Sequence, residues 1–357
     1  MDETAMKSDG QPRKIEAISG QRTGNSYHSL DVHLTHGLRG FLGGDGSDVG
    51  TNERRFVLYP IVSPNAINAI GPYLLPQLQA LAFHHGLAVL GVDSIDDPKS
   101  TLRTRMWYPL SATTLRIQAA ADLWSNVSQN HDEHADPKDV SLARYLSFSL
   151  RAAGIRIRDA SDQYHKQLRA AVKEKSKDGK RFSNVPMLDL ALAIHAALSE
   201  LGSARDYLAT WFARRLGAPS KLDSLARLLD WLPKGPDKRL WPIGLSELHE
   251  AMEPTATEPW AHQLTTLRNL HIHRQPVGLV SNSHWMEYKL RPLDSQTSLP
   301  TVTLPVTDDL PALAGKDYLA VVNSLFVKFE QCAISAARNC GVSCDMPTIV
   351  IPPQSEG

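Results

Sequence analysis

The chain has 357 residues and a mass of 39.4 kDa, enough for one large or two ordinary domains. Hydrophobic residues at 42% and charged residues at 21% exclude a wholly disordered chain. Lys plus Arg and Asp plus Glu are equal at 38 each, so no global basic field advertises nucleic acid and any such contact has to come from a local patch.

Residues 1–26 are polar and rich in Gly, Ser and Lys, and read as a disordered segment without the apolar core of a signal peptide. Residues 27–130 read as a smaller mixed α/β region of unassigned role. Within it, 54–62 and 87–92 have strand character. Between them Ile67, Ile70, Leu74, Leu75, Leu78 and Leu81 suggest a helix interrupted by Pro72 and Pro76, which would make a βαβ-like unit. The glycine-rich run 40–50 ends in Thr51-Asn52 with no Lys to hold a phosphate, so it reads as a flexible loop. The longest apolar stretch, 73–92, is broken by Pro76, Gln77, Gln79, His84, His85 and Gly86 and does not read as a membrane span. In the polar linker 130–138, His131, Asp132, Glu133 and His134 are metal ligands by type. Their consecutive spacing on a loop favours a solvated linker, so no metal and no cofactor is expected.

From Val140 the period becomes helical. One helix or a broken pair is expected over 141–175, and a further helix opens after Asn184 as cap and Pro186 in its first turn. That further helix carries the stripe Ile194, Leu198, Leu201, Leu208 and Phe212, with Gly217 at its end. Shorter helices follow at 222–232 and 246–252, then one from Thr257 to just before Pro276, a strand-like insert near 285–304, and a last helix over 316–340 closed by Gly341. The expected fold is therefore mainly α: a helical domain over 139–342 with one core, the small mixed region before it, and a tail over 343–357. Cys332, Cys340 and Cys344 are an odd number with no paired metal-ligand pattern, and read as thiols in a reducing cytoplasm.

The chemically richest stretch is Leu267-Arg268-Asn269-Leu270-His271-Ile272-His273. It joins a guanidinium that can neutralise a phosphate to imidazoles that move protons near neutral pH. Trp260, Leu264, Leu267 and His271 fall on one helical stripe, so the first three should face the core. Arg268 lies at its edge, with His271 one turn on and His273 about 140° around an ideal helix. An Arg followed by a His at this loose spacing also occurs at Arg22–His28 and Arg158–His165. Only the third case has a polar Asn directly after the Arg, a preceding Leu and a helix that follows.

This arrangement resembles the Arg-polar-x3-His signature of the HEPN superfamily, helical proteins that include metal-independent endoribonucleases. The resemblance covers roughly 140–340 and implies a HEPN-like helical bundle. It implies catalytic roles for Arg268, Asn269 and His273, with His271 at a variable motif position. It further implies RNA cleavage at a homodimer interface, often within toxin–antitoxin or phage-defence systems, which would add an antitoxin or regulatory partner. Residues 27–125 and the insert near 285–304 have no counterpart in that pattern. Chemically, an imidazole would take the ribose 2′-OH proton and the guanidinium would hold the phosphate charge, leaving a 2′,3′-cyclic phosphate and a 5′-OH.

The basic run from His165 to Arg181 reads first as a solvated helix end and second as an RNA track, with Lys166, Arg169 and Lys173 as contacts, joined by Arg274 beside the motif. Trp211, Trp231, Trp241 and Trp285 read as core or interface anchors rather than base-stacking platforms. A metal-independent cytoplasmic endoribonuclease is the first functional expectation. A non-catalytic HEPN-like RNA-binding or protein-interaction module is the second, and a ligand sensor working through the N-terminal region is the third.

Overall fold

The computed structural model describes residues 27–42, 54–97, 104–109, 119–130, 136–277, 279–280 and 283–347, with backbone alone at 27–28, 96–97, 104, 279–280 and 283–284. Residues 1–26, the His131–His134 linker, most of the glycine-rich run (43–50) and the last residues of the tail (348–357) lie outside the described residues.

In β1 (Tyr27–Leu34) the apolar residues Leu30, Val32 and Leu34 alternate with Asp31 and His33, as a pleated strand requires. A tight turn at Thr35–Gly37 leads into β2 (Arg39–Leu42), antiparallel to β1. β3 (Arg55–Ser63) pairs with β2 and folds back through Pro64-Asn65 as β4 (Ala66–Leu74), followed by α1 (Leu75–His84). β5 (Val89–Asp97) then pairs antiparallel with β1, and β6 (Thr104–Pro109) with β5.

Next come α2 (Ala120–Gln129), α3 (Pro137–Lys173), the two-residue β7 (Arg181–Phe182), α4 (Met187–Arg215), α5 (Leu225–Trp231), α6 (Leu245–Glu250) and α7 (Trp260–His273). β8 (Leu279–Val280) and β9 (Ser283–His284) form a small ribbon, and β10 (Met286–Pro292), β11 (Ser298–Thr303) and α8 (Tyr318–Arg338) complete the order.

The architecture corrects the mainly α expectation. Helix makes up 51% and strand 21%, and nine strands form one antiparallel sheet built from both ends of the chain. Its order is β6-β5-β1-β2-β3-β11-β10-β7, with β4 on β3. The stretch 285–304 is thus part of the main sheet rather than an insert in a helical bundle, because Ser298 of β11 pairs with Val62 of β3. The βαβ-like unit is corrected too. Residues 66–74 continue as a hairpin strand, since Pro64-Asn65 supplies a turn with a favourable φ at Pro, and the helix starts only at Leu75.

Within the helices the ends are set by local chemistry. Asp136 caps α3, accepting from the Lys138 N–H at 2.9 Å, and Pro137 opens its first turn. Gly217 ends α4 at φ +69, the left-handed value a helix terminus favours. Asn184, expected to cap α4, instead forms a reciprocal amide pair with Gln167 of α3 at 2.7 and 2.8 Å. α4 and α8 are each long and apolar enough to cross a bilayer, and about half or more of each apolar window is buried within this fold.

Helices pack on both faces of the sheet. Leu78 of α1 packs beside Val32 and Phe56 on one side. On the other, α3 crosses so closely that a Cβ on Gly37 would lie 2.7 Å from the Tyr164 carbonyl oxygen, and Gly37 also holds φ +89. One buried carboxylate ties these layers together. Asp317 caps α8 by accepting from the Ala320 N–H at 2.9 Å, and also accepts from the Tyr164 hydroxyl at 2.8 Å and the Leu304 N–H at 3.2 Å. His36, in the left-handed region at φ 61, has its ring against the same carboxylate at 4.0 Å and within reach of Val302 O and Thr303 Oγ1.

Replacing Asp317 by Ala leaves these buried donors without an acceptor and removes a helix cap. The expected cost is above about 3 kcal/mol by chemical denaturation, against about 1 kcal/mol for Tyr164→Phe. A smaller loss for Asp317→Ala than for Tyr164→Phe would refute the assignment of Asp317 as the shared acceptor.

Candidate functional site

The motif forms the last two turns of α7. Trp260, Ala261, Leu264, Leu267 and Leu270 are buried, so one stripe of the helix is seated in the core. Arg268 lies at the edge of that stripe and is half-buried, whereas Asn269, His273 and Arg274 are exposed.

Arg268 is positioned by a glycine on the facing helix. A Cβ on Gly202 of α4 would come within 2.9 Å of Arg268 Nε, so the guanidinium lies against α4 only because no side chain is there. One turn along, Arg205 of α4 donates to Thr265 Oγ1 of α7 at 2.6 Å and fixes the two helices in register. Arg268 Nη1 lies 3.4 Å from Asn269 Oδ1, and its Nε is buried with no hydrogen-bond partner. Among the described residues no carboxylate is within ion-pair distance of Arg268, and no carbonyl or ring satisfies its buried Nε. A half-buried cation without a counter-charge is short of an anion. Just beyond the helix, the Gln275 amide nitrogen is likewise buried and unpartnered.

His271 has a different place from its neighbours. It is buried, its Nδ1 is 3.0 Å from the Gln275 carbonyl and its Nε2 is 2.7 Å from the Tyr318 hydroxyl. A carbonyl only accepts, so Nδ1 carries the proton and the Tyr318 hydroxyl donates to Nε2. Burial, with a small push from His195, holds this imidazole below its ordinary pKa, and the Gln275 bond offsets part of that. Both ring nitrogens are thus committed to holding the end of α7 against the start of α8. His273 faces solvent, so Arg268 and His273 do not point into one shared cleft of a single chain.

The expected RNA contacts fall in two places. Lys166, Arg169 and Lys173 are exposed on α3, at steps that put them along one edge of the helix. Arg274 is at the C-cap of α7. Cys332 and Cys340 are buried and Cys344 half-buried, all as free thiols. Trp285 stacks under the Arg181 guanidinium at 4.1 Å, and Trp211 packs edge-on against Trp124 in the core.

A second polar centre escaped the sequence reading. On the sheet face beneath α3, Asp31 and Asp93 sit opposite each other across β1 and β5, as do His33 and Arg39 across β1 and β2. Arg105 of β6 pairs with Asp93 and with Asp162 of α3, the latter at 2.8 Å, while Arg39 donates to Ser161 at 2.7 Å and Asp162 at 3.0 Å. His33 Nε2 is 3.7 Å from Asp93, and His33 Nδ1 and Asp93 Oδ1 have no partner.

Burial and then the Arg39 charge hold His33 well below its ordinary pKa and bring His165 to about 4, so both rings are neutral at pH 7. Burial also raises Asp162, but hydrogen bonds from Arg105 and the charge of Arg39 outweigh it and keep the carboxyl below its usual range. Asp31, with no hydrogen-bonding cation of its own, is pushed up to about 6 by burial. The alternation Leu30, Asp31, Val32, His33, Leu34 resembles a half-exposed strand, and only the packing of α3 turns its polar side into an interior.

Comparison of the chain with protein-family models, with curated proteins and with solved structures gives no match.

Because Asp31 binds its proton more tightly in the folded state, its contribution to stability is complete below pH 3.8 and is lost as the pH rises through about 6. Asp31→Asn should therefore gain on the native chain steadily from pH 4 to pH 7 in urea melts. Parallel stability curves for the two proteins would show that Asp31 is not the group concerned.

Proposed function

We propose that the chain is a metal-independent endoribonuclease acting at the end of α7. The observation that carries the reading is the uncompensated Arg268 guanidinium, held against Gly202 beside the exposed Asn269 and His273. The resemblance of Arg268-Asn269-x3-His273 to the HEPN ribonuclease signature supports it.

In this mechanism Arg268 binds a phosphodiester and holds the negative charge that builds on phosphorus as the 2′ oxygen attacks. His273 takes the 2′-OH proton, the new bond forms from the 2′ oxygen to phosphorus, and the bond to the 5′ oxygen breaks. The leaving 5′ oxygen collects its proton from a second imidazole or from water. Asn269 orients the guanidinium through its side-chain oxygen. Arg268 lies back against α4 while His273 is about 140° around the helix, so the active arrangement needs two motifs meeting across a two-fold axis. DNA, lacking the 2′-OH, resists.

His273→Ala should lower RNA cleavage by about 10²–10⁴-fold, the usual worth of one acid–base group, and Arg268→Ala by about 10²–10³-fold. Thermal melts of both variants should stay near the native curve, since one residue is exposed and the other lacks an ion pair. His271→Ala differs in kind, lowering the melting temperature because both its nitrogens are bonded inside the fold. Products ending in a 2′,3′-cyclic phosphate, unchanged by a chelator, are expected. Cleavage that persists without His273 defeats the mechanism. A purified dimer that binds RNA but never cuts it turns the reading to a binding module.

Gly202→Ala provides an independent test of positioning. The added methyl group displaces the Arg268 side chain, so kcat should fall by about tenfold or more with the fold retained, as expected when a clamp is moved by about an ångström. An unchanged kcat would separate Arg268 placement from catalysis.

A further inference from the structure

Away from the motif, a cleft of about 770 Å³ opens between the β3–β4 turn, the C-terminal end of α3 and the turn joining β10 to β11. This size suits a small organic ligand or one nucleotide of a strand. Val62, Ile67, Val172 and Leu290 supply an apolar floor, and Ile67 is 46% exposed although it is a large aliphatic residue. The side-chain amides of Asn65 and Gln296, which both donate and accept, stand at the rim and can match the edge of a heterocyclic base.

The electrostatics favour an anion. Lys173 and Lys175 line the cleft, and among the described residues neither has a carboxylate within ion-pair distance. The one carboxylate in the lining, Asp294, is turned onto its own loop, accepting from the Gln296 and Thr297 N–H groups at 2.7 Å and the Thr297 hydroxyl at 2.6 Å. Nearby Glu174 pairs with Lys180, and Asp178 accepts from the Leu290 N–H. The last carbonyls of α3 are also occupied: those of Ala170, Ala171 and Val172 accept from the N–H groups of Glu174, Ser176 and Lys175. Their partial negative charge therefore offsets only part of the two lysines.

Two features go beyond a chance pair of surface lysines. Ser176 lines the cleft, and its hydroxyl is buried without a hydrogen-bond partner. Lys175 ends α3 at φ 52, a left-handed position normally filled by glycine and strained for a side chain by about 1–2 kcal/mol. That conformation keeps a lysine at the mouth of the cleft where a glycine would end the helix more cheaply. From there, Lys173, Arg169 and Lys166 continue along one edge of α3 over about 10 Å, a cation row without an ion pair among the described residues, in a chain with no net charge.

We propose that this cleft binds a nucleotide unit, its phosphate on Lys173 and Lys175 and its base on the apolar floor, as one residue of a single RNA strand laid along α3. The strand rests on the ribonuclease reading above; the shared chemistry, a phosphate with a planar base, would also admit a free nucleotide. The experiment measures binding of a fluorescein-labelled single-stranded oligoribonucleotide, and separately of AMP and UMP, to the full-length His273→Ala chain. Lys175→Gly and Lys173→Ala are introduced into that background.

Lys175→Gly should be as stable as its parent or more so, yet bind the oligonucleotide several-fold more weakly. Lys173→Ala should reduce the slope of log affinity against log salt by about 0.7, the value for one phosphate contact on a single strand. Mononucleotide binding with the same dependence on both lysines supports the cleft and moves the source to a free nucleotide. Oligonucleotide binding unaffected by either change, or no binding of any of these probes, overturns the proposal. Because no cleavage is measured, its failure is distinguishable from failure of the catalytic reading.

Discussion

The buried carboxylate of Asp317 is the contact on which the arrangement depends. It is at once the cap of α8, an acceptor for the end of β11, and the partner of Tyr164 on α3, with His36 of the β1–β2 turn against it. Such an acceptor is costly to bury unless its lone pairs are used, and here they are used by donors from separate layers. The next residue, Tyr318, continues the chain of contacts by donating to His271. The end of the motif helix is thus held in place by the same junction that fastens the sheet to the helices.

Two polar regions in this molecule do opposite things. Under α3, Asp93, Asp162, Arg39 and Arg105 pair with one another, with Ser161 and two neutral imidazoles beside them, although Asp93 Oδ1 and His33 Nδ1 keep no partner. Charge pairing of that kind specifies how α3 lies on the sheet and leaves neither arginine short of an anion. At the end of α7 the balance is unfinished: among the described residues Arg268 has no carboxylate and Gln275 has an idle donor. The imbalance makes that end the better candidate for an anionic substrate.

The helices were legible because their signals are local. The core stripe of α4 and the glycines after α4 and α8 depend on residues within a turn or two of one another. The sheet was only partly legible. β3 and β5 carry enough aliphatic and aromatic residues to declare themselves, but β11 finds its place through Ser298 meeting Val62, a pairing between distant parts of the chain. β4 was mistaken for helix because Ile67, Ile70 and Leu74 also satisfy a helical period. At the site, Arg268, Asn269 and His273 stood out by residue type, whereas Gly202, which makes room for the guanidinium, carries no signal without its neighbour on α7.

By itself, then, the sequence determined the helical periods, most helix ends and the group of chemically capable side chains on α7, since each follows from spacing along one backbone. Tertiary structure alone decided that the strands of both chain ends share one sheet and that Asp31 and His33 face a helix rather than water. It also decided that His271 is an interior strut while His273, two residues on, is free. These outcomes turn on which surfaces meet. Burial and pairing belong to the contact between distant segments, and no single stretch of the chain contains that information.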